Sequence, residues 1–124
     1  MSQEKDIHSA QGKLKALQRK QKEFAQQLGT TDFIWNGSIS KRFLTCGKPA
    51  CPCHTNPEAK HGPYYYWTTK KAGKTISKLL TEQQAEILQQ WITNRRVLEH
   101  TLDDMKKLSQ EAYEVILFIM ENSE

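Results

Sequence analysis

The chain is short of apolar residues. Only 37% of its 124 residues are hydrophobic, and its mean hydropathy is −0.74. A chain of this length is expected to form one domain, and that domain has little apolar surface to bury. A metal, a long helical pairing or a second subunit is expected to supplement the core. No run of about 18 apolar residues occurs, so no membrane-spanning helix is expected. The opening stretch, MSQEKDIHSAQGKLK, is mainly polar and holds no apolar run. A secretory signal is therefore not expected, and the cytoplasm is the expected location. Cysteine is scarce, with three in all. In a reducing compartment, three clustered cysteines point to metal or redox chemistry rather than to disulfides. Carboxylates are nearly missing from the middle, since residues 33–80 hold only Glu58. A metal-dependent nuclease needs carboxylates beside an open metal, so an enzyme is not expected.

The charge that is there is unevenly placed. Residues 1–30 carry +3, residues 31–80 carry +6, and residues 81–124 carry −5. A basic centre followed by an acidic tail is a clue to partners.

Two segments have helical periodicity. In 3–28, Ile7, Ala10, Leu14, Leu17, Gln21, Phe24 and Leu28 alternate at spacings of three and four, with Gly29 placed as a cap. The segment 81–121 opens on a capping box, Thr81-Glu82-Gln83-Gln84. Its apolar ladder then runs through Leu88, Trp91, Arg95, Leu98, Leu102, Met105, Ser109, Ala112, Ile116 and Ile119, without Pro or Gly. About 40 residues make a helix of roughly 60 Å, longer than the first can cover. The excess includes 112-AYEVILFIM-120, apolar on nearly every side, and a homo-oligomer contact or a folded-back helical bundle is expected to cover it.

Between the helices, 38–45, 64–69 and 74–80 alternate as strands. Lys70-Lys71-Ala72-Gly73 is a hairpin turn with Gly73 at a positive-φ position. The fold class is thus α+β: a small three-stranded antiparallel sheet over 33–80 with a zinc knuckle, between an N-terminal helix and a long, coiled-coil-like C-terminal helix.

The cysteines fall in the loop between the first two strands. Cys46, Cys51 and Cys53, with one histidine, fit a closed tetrahedral Cys3His site, the usual form of structural zinc. His54 adjoins Cys53, which strains a shared tetrahedron. His61 reaches back from the next loop and is preferred. Metal-free thiols and a redox cysteine are the alternatives. A zinc ion here would clamp the first strand to the second.

The stretches 37-GSISKRFLTCGKPACPC-53, 61-HGPYYYW-67, 73-GKTISKLLTEQQ-84 and 91-WITNRR-96 resemble an uncharacterised family of short bacterial proteins with a CGKPxCxC…HGPYY element. The resemblance spans about residues 37–98 and implies Cys46, Cys51, Cys53 and His61 as ligands. Members often lie beside transposases and other mobile-element genes, which implies an accessory DNA role.

The cations of the sheet are the candidate nucleic-acid contacts: Lys41 and Arg42 on the first strand, Lys70, Lys71 and Lys74 at the hairpin, and Lys78 on the third strand. Lys/Arg and hydroxyls suit phosphates, and rings suit unpaired bases. The expected function is a non-catalytic, zinc-stabilised nucleic-acid-binding protein, with DNA favoured over RNA. The alternative is an adaptor that docks a transposase or recombinase through its helices.

Overall fold

The structure, a computed structural model, describes residues 2–123. Helix α1 spans Ser2–Gly29 and helix α2 spans Glu82–Asn122. Between them lie strands β1 (Ser38–Leu44), β2 (His61–Lys71) and β3 (Lys74–Leu80). The chain divides into two compact units. One holds α1 and α2 from Arg96 onward, and the other is Asp32–Arg95.

The first unit is an antiparallel helix pair. Gln3 Nε2 donates to the Asn122 carbonyl at 3.0 Å, and Leu17 and Gln21 line one groove with Leu108 and Ala112. All seven ladder positions of α1 are half-buried, and its other described side chains are exposed. On α2 the buried ladder differs from the expected one. It shares Leu98, Met105, Ala112 and Ile119 with that ladder, but between them it buries Thr101, Leu108 and Val115 rather than Leu102, Ser109 and Ile116. The two ladders flank a common spine, and one partner helix with a single narrow stripe covers only one flank. Buried Thr101 satisfies its hydroxyl on the Val97 carbonyl at 3.0 Å. Leu102 and Ile116 stay 41% and 39% exposed. Gly29 also departs from expectation. It is not among the left-handed glycines, and α1 ends instead in three-residue bonds, Thr30 N to the Gln27 carbonyl and Thr31 N to the Leu28 carbonyl.

The second unit is an antiparallel sheet in the order β1-β2-β3. Its hairpin turn is the residue pair Ala72-Gly73, at φ 51° and 78°. Positive φ at both central residues matches the twist of the flanking strands. Strand β2 starts three residues earlier than its Pro63 suggests. Arg42 pairs with Tyr64 and Leu44 with His61, so Gly62 and Pro63 together face Phe43. A bulge of that kind tolerates a proline, which has no N–H for the ladder.

Cross-strand pairing fixes the faces. Ile39, Lys41, Tyr65, Trp67, Lys78 and Leu80 share the face beneath the first turns of α2. The capping box of α2 forms in both directions, with Thr81 Oγ1 accepting from Gln84 N at 3.1 Å and Gln84 Oε1 accepting from Thr81 N at 3.0 Å. Ile92 is fully buried. Segment 32–37 lies against the same turns. Asn94 Nδ2 donates to the Phe33 carbonyl at 2.8 Å, and the Trp35 ring stands 5.7 Å from Trp67 and 6.2 Å from Trp91. Among the described residues, no helix is long and apolar enough to cross a membrane.

Candidate metal centre

The loop from β1 to β2 has almost no apolar side chains, so local hydrogen bonds and the cysteines shape it. Cys51 N donates to the Lys48 carbonyl at 3.1 Å, closing a turn after Cys46. Pro52 then opens a short 3-10 turn, Pro52–His54. Asn56 caps a second, Pro57–Ala59, by accepting from Glu58 N at 3.0 Å. The chain enters β2 at His61, directly across the ladder from Leu44.

These turns bring four donor atoms together. The sulfurs of Cys46, Cys51 and Cys53 and a ring nitrogen of His61 all lie within 4.8 Å of one another. Cys46 Sγ stands 3.7 Å from Cys53 Sγ, and Cys51 Sγ stands 3.4 Å from His61 Nε2. A tetrahedral ion with metal–sulfur bonds of about 2.3 Å and metal–nitrogen bonds of about 2.0–2.1 Å has edges of roughly 3.8 Å between sulfurs and roughly 3.5 Å from sulfur to nitrogen. The donor set and its spacing fit a metal ion. His54 is engaged elsewhere, with its Nε2 2.9 Å from the Lys48 carbonyl. The fourth donor is therefore His61.

The site is unevenly sheltered. Cys53 is 2% exposed, Cys46 and Cys51 are half-buried, and His61 is exposed. Backbone amides already point at the sulfurs. The Cys53 amide and its thiol pull the Cys51 thiol below its ordinary range, and burial only partly offsets them. The Cys46 amide donates to Cys53 Sγ at 3.4 Å and favours its thiolate. Burial and the neighbouring thiols of Cys51 and Cys46 outweigh that and push the Cys53 thiol up. A cation at the centre would neutralise this crowding.

Gly62 holds the histidine in place. Its φ is 137°, and a Cβ there would lie 2.7 Å from the Arg42 carbonyl oxygen. Only glycine lets β2 approach β1 that closely while His61 turns toward the cysteines. The Gly62–Pro63 bond is cis.

The six candidate nucleic-acid residues divide between the faces. Arg42 and Lys70 belong to the outward face. The Arg42 guanidinium lies 4.7 Å over the Tyr66 ring, and its Nε donates to Ser40 Oγ at 3.0 Å. Lys41, Lys71, Lys74 and Lys78 belong to the other face. Lys41 lines a depression of about 430 Å³ with Glu82 and Glu86. Lys70, Lys71 and Lys74 meet at the hairpin tip.

Phe33, Ile34 and Trp35 belong to none of the helices, strands or sites expected from the sequence. Their signal was three large apolar residues in succession directly before the Asn36-Gly37 entry to β1.

No curated protein and no solved structure matches the chain. The family model for a domain of unknown function, DUF6788, matches residues 14–90. That stretch takes in most of α1, the whole sheet, all four candidate ligands and the opening turns of α2. On that match the chain belongs to the DUF6788 family.

Proposed function

We propose that this protein is a non-catalytic, zinc-stabilised nucleic-acid-binding protein, with DNA its favoured partner. The observation that carries the reading is the coincidence of a Cys3His cluster with a sheet that is rich in cations and almost free of carboxylates. Residues 31–80 hold eight Lys/Arg against Asp32 and Glu58. Zinc suits three thiolates and one imidazole in a closed tetrahedron. Bound there, it supplies structure. Cys46 holds the end of β1, His61 holds the start of β2, and Cys51 and Cys53 fix the loop between them. With all four positions taken by protein, no place is left for a reacting water, and the loop offers a single carboxylate, Glu58, where a nuclease needs several.

The expected contacts are Arg42, whose planar fork can grip a phosphate or a guanine edge, and the Lys70, Lys71 and Lys74 tip. Lys41 and Lys78 stand closer to α2 and are expected to contribute less. The role implied by the resemblance is accessory to a mobile element; the polar opening stretch favours the cytoplasm as its location.

A second reading is favoured by the uncovered flank of α2. Leu102, Tyr113, Ile116 and Met120 are exposed, and a second copy of this chain or a transposase or recombinase could cover them. The protein would then be an adaptor, and the two readings are compatible in a recruitment factor.

Band retardation of duplex and single-stranded DNA and RNA at two salt concentrations tests the main reading. Affinity should fall steeply with salt as counterions are released. No retardation of any of them at low salt would reject it and leave the adaptor.

A further inference from the structure

Ile34 is 46% exposed and Trp35 is 37% exposed. Trp35 packs one side toward Trp67 and Trp91. Trp35 also borders a depression of about 480 Å³. Ile34, Trp35 and Trp67 form its apolar lining, and Asn36, Thr69, Lys70 and Lys71 supply its polar groups. No carboxylate lines it. Burying these rings fully would have been worth more to stability than leaving them open. An exposed indole bordered by two lysines, Lys71 on the Trp67 face of the sheet and Lys70 on the opposite one, gives the depression a chemical preference. It suits something flat, aromatic and negatively charged.

We propose that this depression takes one unpaired base of a single-stranded nucleic acid, with the base against Trp35 and an adjoining phosphate at Lys70 and Lys71. The proposal rests on the nucleic-acid reading above and narrows it. The indole faces offer stacking, which every base can use. The lysines offer attraction to a backbone phosphate without reading sequence. The volume falls within the range of small-ligand sites and accommodates a nucleoside. A base within a duplex is stacked on both sides and cannot enter unless it is swung out. An acidic peptide would satisfy the lysines but would leave the indole faces without a stacking partner.

Tryptophan fluorescence tests the proposal, because bases that stack on indoles quench them. The probes are a short single-stranded DNA, its RNA equivalent, the matching duplex, and a strand of equal length whose sugars carry no bases. The single strands should quench, and the abasic strand and the duplex should not. The abasic strand should bind at least about fivefold more weakly than the complete one, the smallest loss expected for one stacked base. Ile34→Glu places a carboxylate in the depression at an exposed position and should abolish the quenching, with circular dichroism unchanged. Lys70→Ala with Lys71→Ala should weaken complete and abasic strands alike while leaving quenching at saturation. The unaltered protein decides the matter even if Ile34→Glu fails to fold. Equal affinity for complete and abasic strands, or binding without quenching, would overturn the proposal. Duplex binding without single-strand quenching would sink the base slot and leave the wider reading standing. If no probe bound, both would fall.

Discussion

Replacing Gly62 by alanine should damage the sheet and the metal centre together. The added Cβ would lie 2.7 Å from the Arg42 carbonyl oxygen, 3.2 Å from Tyr64 N and 3.3 Å from Phe43 Cα. All three are backbone atoms, so no side chain can swing aside. At φ 137° an L residue also carries strain of order 1–3 kcal/mol. Forcing β1 and β2 apart adds an overpacking cost of about 1–3 kcal/mol. A total near 3 kcal/mol is a large share of the ~5–15 kcal/mol that holds a small protein folded. For a chain of this size it lowers the melting temperature by roughly 10 °C. Because His61 immediately precedes the altered residue, metal should also be lost at lower chelator concentration. Gly47 is the control. It lies in the same loop, at no positive φ, with nothing within 4 Å of a new Cβ, and Gly47→Ala should melt within about 2 °C of the parent. Thermal melts followed by circular dichroism, with and without chelator, read both effects. If Gly62→Ala melted with the parent and held its metal equally well, the bulge would not position His61.

Elemental analysis of protein purified without chelator should find about one zinc per chain; His61→Ala should lose it, and His54→Ala, which removes only the bond to the Lys48 carbonyl, should keep it. With the metal stripped, iodoacetamide should label Cys51 before Cys53, since thiolate reacts; Cys51 is lowered and half-buried, whereas Cys53 is raised and 2% exposed. Peptide mass spectrometry gives the order, and simultaneous labelling would contradict the site's asymmetry. Leu102→Asp with Ile116→Asp should leave the melt near that of the parent but reduce any oligomer seen by light scattering. Val115→Asp should unfold the helix pair, because Val115 is buried in it and an unpaired charge there has no partner; equal effects from the two would mean the flanks of α2 are not distinct.

Much of this architecture is legible in the residues because their local and global preferences agree. The seven-residue ladder of α1 is correct at every position, since a single apolar stripe leaves one way to bury it. The capping box at Thr81 and the turn at Gly73 depend on neighbours in the chain and were equally plain. The choice of flank on α2 was not. Leu102 and Ile116 are as apolar as Leu108 and Val115, and only the placement of α1 decides between them. The start of β2 at His61 was hidden by Pro63, because the bulge that accommodates proline is a property of the pairing and not of either strand. For the metal centre, cysteine spacing gave three donors. The adjacency of His54 to Cys53 favoured His61 as the fourth, and the structure adds a reason hidden in the sequence, since the Lys48 carbonyl that engages His54 becomes a neighbour only once the loop has turned. Trp35 was overlooked for a similar reason: its ring partners lie 32 and 56 positions away in the chain.

The strand order β1-β2-β3 leaves β1 and β3 each with one side unpaired within the sheet. Rows of backbone N–H and C=O groups facing outward invite strands from other molecules, and proteins commonly deter this with lysine. Lys41 and Arg42 sit on one such strand, and Lys74 and Lys78 on the other. These cations therefore have a colloidal duty that would persist even if nucleic acid never touched them. Each incoming strand would have to bring its own backbone past a pair of like charges. Stripping them to apolar residues would convert a sheet only three strands wide into a seed for lateral growth. Such a change should lower solubility even where it leaves every partner contact intact.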